Sequence, residues 1–149
     1  MTLVISVINQ KGGCSKTTLI GSMYGVLKQQ GLEVVLLDGD YQSSLSNLIE
    51  GATVYGLDQL PNINNFNADI VLIDTPPYNT ENMESVLSMS DFVLVPCKPS
   101  KVDLIATIPI VRNIKEKTKT AVIITMAVNG SALTNNIKDA IKLNDINVL

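Results

Sequence analysis

The first feature that could carry chemistry is a stretch rich in glycine and lysine near the start of the sequence. Residues 8–18 read INQKGGCSKTT and stand between a short apolar run and a segment with helical periodicity. Gly12 and Gly13 allow backbone amides to converge on an anion, and the amino end of the following helix adds a partial positive charge. Lys16 adds a full charge. The stretch therefore predicts a polyphosphate-binding loop.

Oxygen-bearing side chains in this loop and at the end of a later apolar run predict a magnesium site. Thr17 is placed to ligate Mg²⁺, and Thr18 is placed to reach a neighbouring phosphate oxygen. Asp74 ends an almost uninterrupted apolar run, where a buried carboxylate is costly unless a cation or hydrogen bonds compensate it. We expect a water-mediated contact between Asp74 and Mg²⁺. The alternative is an exposed aspartate that caps the turn before Pro76.

The elements that must position these residues alternate between short apolar runs and amphipathic segments. This alternation is typical of an α/β fold, with a mostly parallel sheet and helices on both faces. Strands are predicted at 3–8, 33–37, 69–74, 92–96 and 121–125, and a further one begins at Ile146. The phosphate-binding stretch then lies between the first strand and the first helix.

Helices are predicted between these strands. The first ends at Gly31, a short one follows Gln42, and others lie at about 80–89 and 103–117. The last helix has apolar residues at four-residue steps, with Ser131 or Thr134 as its N-cap. We expect Pro109 to kink or restart its helix, because proline removes an amide donor. Residues 62–67 are predicted to be a polar loop.

Composition restricts the class of protein. With 149 residues, of which 46% are hydrophobic, the chain is expected to form one domain with a real core. A net charge of −3 argues against a protein that coats nucleic acid. Residues 98–119 are locally basic, which indicates either a solvated helix face or a surface for an anionic partner. The apolar runs are far shorter than the ~20 residues that cross a bilayer.

Cysteine and histidine content indicates the compartment. Two cysteines do not form a disulfide framework, and the absence of histidine removes the usual zinc spacings. The first residues lack the basic region of a secretory signal. We therefore expect a cytoplasmic protein.

The loop departs from the ordinary GxxxxGK[ST] spacing at both glycines, since Gln10 and Ser15 occupy those positions. The pattern KGGxxKTT, with its additional Lys11, resembles the deviant Walker A loop of the ParA/MinD family of P-loop ATPases. Four later segments are similar to family motifs in the same order: LLDGDYQ at 36–42 to the switch segment, IVLIDTPP at 70–77 to the Walker B strand, VPCKPS at 95–100 to a proline-marked segment, and Val128-Asn129 to the base-contacting asparagine.

The resemblance implies catalytic roles for Lys11, Lys16 and Asp40. Lys16 would contact the β and γ phosphates, and Lys11 would reach the partner subunit's nucleotide across a dimer interface. For Lys11, the alternative is an ordinary exposed lysine. Asp40 would orient and polarise the attacking water.

The resemblance also implies which residues bind the cofactors, ATP or ADP and Mg²⁺. The metal set is Thr17, Asp38 and Asp74, and Asp38 would also support Asp40. Asn129 would read adenine through its amide, unless it is only a turn residue. The remaining nucleotide contacts come from the loop, namely Lys11, Gly12, Gly13, Cys14, Ser15, Lys16, Thr17 and Thr18.

Three residues depart from the family pattern or carry their own chemistry. Ser15 replaces a glycine, and a positive φ there would cost about 1 kcal/mol. Tyr41 stands where proline is common, which makes the hydrolysis rate harder to predict. Cys14 lies in an electropositive loop at a helix N-terminus, so we expect a lowered thiol pKa and sensitivity to oxidation.

The resemblance implies an ATPase of plasmid or chromosome partition, driven by an ATP-dependent homodimer and a ParB-like centromere-binding partner. Nonspecific DNA binding is a family property, although residues 98–119 contain a single arginine and no aromatic residue. A MinD-like or orphan positioning ATPase and a non-hydrolysing nucleotide-binding module are the alternatives. No membrane-targeting helix is expected. Residues 1–149 would form a single domain, complete or lacking the family's C-terminal portion.

Overall fold

The computed structural model describes residues 2–39, 44–76 and 83–149, with only the backbone of residue 44. None of the helices within these ranges is long and apolar enough to cross a bilayer. The elements follow one another along the chain as β1 (Leu3–Val7), α1 (Lys16–Gln29), β2 (Val34–Asp38), α2 (Ser44–Leu48), β3 (Val54–Gly56), a 3₁₀ helix (Leu57–Asn65), β4 (Ile70–Asp74), α3 (Met83–Met89), β5 (Phe92–Cys97), α4 (Lys101–Lys115), β6 (Lys119–Ile124), α5 (Ala132–Leu143) and β7 (Asn147–Val148).

The strands of the described residues form one sheet in the order β3-β2-β4-β1-β5-β6-β7. Each pairing between neighbours is parallel, so the mostly parallel sheet predicted from the sequence is confirmed. In register, Asp74 pairs with Val7 on one side and with Asp38 on the other. The carboxyl ends of β1, β2 and β4 therefore meet at one edge of the sheet.

Helices cover both faces of the sheet, as predicted. Successive side chains of a strand point to opposite faces. On β2, Leu36 packs with α1 and α2, whereas Leu37 packs with the 3₁₀ helix and α3. On β5, Val95 packs with α4 and α5 on the face opposite to Leu94. Full burial of one such side chain contributes about 2 kcal/mol, so both helical layers hold the sheet in place.

Residues 57–65 differ from the sequence-based prediction. The polar loop predicted at 62–67 is largely part of the 3₁₀ helix, and β3 was not predicted. Leu60 and Ile63 are buried at a spacing of three residues, which places them on one face of a 3₁₀ helix. Burial of this apolar pair outweighs the polar character of the residues around it, so the prediction of a loop is wrong at 62–65.

Pro109 does not restart its helix, because α4 is unbroken from Lys101 to Lys115. The bond that the proline removes would have ended at the carbonyl of Ile105, a residue that is 72% exposed. Water can solvate that carbonyl, so the helix continues. At its amino end, Ser100 Oγ accepts the amide of Asp103 at 3.1 Å, which caps α4.

Candidate nucleotide and magnesium site

The predicted phosphate loop connects β1 to α1 at the carboxyl edge of the sheet. Gly13 and Ser15 adopt left-handed conformations with φ of 69° and 71°, and α1 begins directly afterwards at Lys16. The loop and the end of β4 surround a cavity of about 270 Å³. It is lined by Gly12, Gly13, Cys14, Ser15, Lys16, Thr17, Thr18, Asp74, Thr75 and Pro76.

Two of the predicted metal ligands are in direct contact at the wall of this cavity. Thr17 Oγ1 donates a hydrogen bond of 2.6 Å to Asp74 Oδ2, and Asp74 is 1% exposed. Asp38 ends the neighbouring strand, where its Oδ2 accepts the Leu45 amide at 3.1 Å. A hydroxyl and carboxylates beside a phosphate-binding loop are the donors that Mg²⁺ prefers, so these residues fit that ion.

Two buried polar side chains hold the loop in place, and the sequence analysis gave neither a role. Asn9 Nδ2 donates to the carbonyl of Pro96 at 2.5 Å, while its Oδ1 accepts the Lys11 amide at 3.1 Å. Thr75 Oγ1 donates to the carbonyl of Val7 at 2.8 Å. A polar residue directly after an apolar strand must find partners when buried, which is the signal that could have identified both.

Lys11 is paired within its own chain and does not line the cavity. Its Nζ lies 2.9 Å from Asp103 Oδ1, with Lys11 47% exposed and the Asp103 side chain 10% exposed. The hydroxyl of Ser100 and then the ammonium of Lys11 hold the pKa of Asp103 below its usual value, against the effect of burial. The sequence analysis assigned no role to Asp103.

Cys14 contradicts the sequence-based prediction of a lowered thiol pKa. The residue is 1% exposed, and burial raises the pKa of its thiol more than the nearby Lys16 lowers it. The thiol is therefore protonated at neutral pH and shielded from solvent. The expected sensitivity to oxidation loses its physical basis.

Comparison with known proteins identifies the family. A model described as the CobQ/CobB/MinD/ParA nucleotide binding domain matches residues 5–149. The chain belongs to this family. It is also 29% identical, over 97% of its length and 76% of the relative's, to the maintenance of carboxysome distribution protein A of Halothiobacillus neapolitanus.

Solved structures of ParA and MinD proteins have the same fold as this chain. A plasmid partition protein from Borrelia burgdorferi superposes with a TM-score of 0.76 at 15% identity, covering 99% of this chain and 89% of that one. The MinD protein of Pyrococcus horikoshii, complexed with Mg-ADP, gives 0.73 at 18% identity and covers 99% and 79%. The parallel sheet formed by the described strands is thus the P-loop α/β fold of this family.

The remaining predicted site residues either do not line the cavity or fall outside the described residues. Asn129 is exposed in the connection between β6 and α5 and is not among the residues that line the cavity. Asp40, Tyr41 and Pro77 fall outside the described residues. The structure therefore brings together the loop and Asp74, with Asp38 at the same edge.

The left-handed conformation of Ser15 leads to a first prediction. Its φ of 71° is unfavourable for a residue with a Cβ, and its hydroxyl makes no capping hydrogen bond to α1. Ser15→Gly is therefore expected to stabilise the chain by about 1 kcal/mol. Chemical denaturation of the nucleotide-free protein measures this. Gly13→Ala is the matched opposite change, because it introduces a Cβ at a φ of 69°, and it should lower the free energy of unfolding. A Ser15→Gly variant that is less stable than the parent chain would contradict this prediction.

Proposed function

We propose that the chain is a Mg²⁺-dependent ATPase that binds ATP and ADP at the cavity beside the phosphate loop. The hydrogen bond between Thr17 and Asp74 carries this proposal, because it joins two oxygen donors suited to Mg²⁺. The cavity wall also contains Lys16 and the amides at the start of α1, which are suited to phosphate. The complex of the Pyrococcus horikoshii MinD protein with Mg-ADP agrees with this chemistry.

In this proposal, the amides of residues 12–18 and the ammonium of Lys16 hold the β and γ phosphates. Thr17, Asp74 and Asp38 hold Mg²⁺ directly or through water. When bound, Mg²⁺ neutralises charge on the phosphate oxygens. Asp40 orients the attacking water as a general base, and Asn129 contacts the adenine base.

Calorimetry and phosphate release with the purified chain test this proposal. We expect heat of binding with saturating MgATP and slow turnover, because a single carboxylate positions the water. Asp40→Ala should retain binding and lose hydrolysis. Binding without turnover in the parent chain would instead support the non-hydrolysing nucleotide-binding module, and no binding would reject nucleotide chemistry altogether.

We further propose that ATP drives formation of a homodimer in which Lys11 contacts the partner's nucleotide. Lys11 is now bonded to Asp103, so it must exchange this carboxylate for phosphate oxygens when the dimer forms. The carboxylate of Asp103 therefore competes with the partner's nucleotide for the ammonium of Lys11. The ion pair is partly exposed and screened, so the competition is modest.

This competition gives a second prediction. Asp103→Asn removes the charge that holds Lys11, and the Kd of the ATP-bound dimer is expected to fall about threefold. Sedimentation with MgATP on the Asp40→Ala background measures the Kd without hydrolysis. Asp145→Asn is the control, because Asp145 forms a distant surface pair with Lys115 at 3.9 Å. A weaker dimer in Asp103→Asn would contradict the competition.

For the cargo, we propose segregation of a plasmid or chromosome with a ParB-like centromere-binding partner. The similarity to a protein named for maintenance of carboxysome distribution supports a second candidate, in which the cargo is a protein assembly. Part of the basic stretch is already paired: Lys115 with Asp145 and Lys117 with Glu84. Less positive charge is thus available for nonspecific DNA than the sequence alone suggests.

Co-sedimentation separates these cargo classes. ATP-dependent pelleting with DNA would support partition on a DNA surface, whereas pelleting with anionic liposomes would support the MinD-like alternative. Stimulation of turnover by a candidate partner would identify the cargo directly. If neither DNA nor liposomes bind, the protein-assembly candidate becomes the working proposal.

A further inference from the structure

Gly39, the first residue after β2, occupies a position with no room for a side chain. An ideal Cβ there would lie 2.6 Å from Leu57 Cδ1, 2.6 Å from Pro76 Cδ and 3.1 Å from the carbonyl oxygen of Asp74. Real Cβ atoms essentially never approach other atoms this closely, so a side chain would force these neighbours to move. Leu57 can respond at the end of its flexible side chain, whereas Pro76 Cδ belongs to a ring closed on the backbone. The start of the 3₁₀ helix and the end of β4 thus enclose Gly39.

The need for glycine here arises from space and not from backbone conformation. Gly39 is absent from the glycines with positive φ, which include Gly13 and Gly31. Its amide donates a hydrogen bond of 2.8 Å to the carbonyl of Asp74. The close approach therefore joins the end of β2 to the end of β4 by both packing and a hydrogen bond.

The residues on either side of this contact carry the proposed metal ligands. Asp38 directly precedes Gly39, and its carboxylate accepts the amide of Leu45 at 3.1 Å. Asp74, whose carbonyl accepts the Gly39 amide, receives the hydroxyl of Thr17 on its carboxylate. A shift of the end of β2 relative to the end of β4 at Gly39 would therefore move the residues that carry these two carboxylates.

We propose that Gly39 and Leu57 are positioning residues for the Mg²⁺ site. Their contact sets the distance between Asp38 and Asp74, and it connects the 3₁₀ helix to the metal ligands. The inference rests on the proposed function for its magnesium readout. The packing itself is a property of the chain without nucleotide.

A double-mutant cycle tests this coupling. Gly39→Ala overfills the contact and Leu57→Ala empties it, whereas the double variant exchanges a large side chain and a small one across the same gap. We expect each single variant to weaken Mg²⁺-dependent ATP binding about tenfold and the double variant to recover part of the loss, because the contact with Pro76 Cδ at 2.6 Å remains. The Mg²⁺-dependent part is the difference between titrations with ATP in excess Mg²⁺ and in EDTA. Binding in EDTA should stay unchanged, since the phosphate loop is untouched.

Hydrogen exchange provides a readout that needs no nucleotide. The Leu45 amide is bonded to Asp38, so its exchange should accelerate in both single variants and slow again in the double variant. Gly25→Ala is the matched control, because a Cβ there meets nothing within 4 Å. If Gly39→Ala does not fold, Leu57→Ala alone decides: unchanged Mg²⁺-dependent ATP binding and unchanged Leu45 exchange in that variant would overturn the proposal.

The outcomes are separable. Additive effects of the two substitutions, or equal losses of ATP binding with and without Mg²⁺, would overturn the positioning role. If the parent chain binds no ATP, the proposed function fails. The exchange of Leu45 then still decides whether the contact between Gly39 and Leu57 holds Asp38 in place.

Discussion

Lys16→Ala is expected to lower the affinity for MgATP by about a hundredfold. Lys16 is the first residue of α1, lines the phosphate cavity, and forms no ion pair among the described residues. Its charge is therefore available to the ligand. Losing a charge-assisted hydrogen bond to phosphate costs about 3 kcal/mol, which corresponds to that change in Kd. Calorimetry with MgATP measures it.

Lys28→Ala is the matched control for this substitution. Lys28 lies in the last turn of the same helix, where it pairs with Glu33 at 3.3 Å on the surface. Its loss should change neither nucleotide affinity nor, beyond a few tenths of a kcal/mol, stability. Retained MgATP affinity in Lys16→Ala would reject the assignment of the phosphate loop.

Asp74→Asn is expected to reduce Mg²⁺-dependent turnover by about a hundredfold without destabilising the nucleotide-free chain. The carboxylate is buried and receives the hydroxyl of Thr17. The neutral amide has nearly the same shape and can still accept the hydrogen bond from Thr17, so we expect the fold to tolerate the change. Phosphate release and thermal unfolding in parallel separate the two effects.

Asp69→Asn serves as the control at the opposite end of the same strand. Asp69 precedes β4 and accepts the amide of Glu33 at 2.8 Å, far along the strand from the cavity. Turnover should be unchanged there. A similar loss of turnover in both variants would mean that β4 acts as a structural support only, and that Asp74 holds no metal.

Much of the sheet could be predicted because its strands are continuous apolar runs with clear boundaries. The strand predicted at 69–74 corresponds to β4, Ile70–Asp74, and all five residues of β4 are buried. β3 was missed because it has three residues and depends on pairing with β2, which local sequence does not reveal. The continuation of α4 through Pro109 likewise depends on the exposure of the preceding turn.

The part of the site formed by residues that are neighbours in the sequence could be predicted. Residues 12–18 are consecutive, so their convergence follows from a glycine-containing turn before a helix. The pair of Lys11 and Asp103 spans 92 positions and arises only when α4 packs beside the loop. Cys14 was misjudged for the same reason, because its burial depends on tertiary packing and outweighs the charges nearby.

The position of β1 within the sheet has a consequence for synthesis of the polypeptide. β1 is translated first, yet its two neighbours in the sheet are β4 and β5, at Ile70–Asp74 and Phe92–Cys97. Such long-range pairing forms slowly and late. A nascent chain on the ribosome thus displays the phosphate-binding residues well before the strands that hold them have emerged. ATP therefore cannot assist the early steps of folding, and a nascent chain can be stabilised by its ligand only after β4 and β5 have emerged.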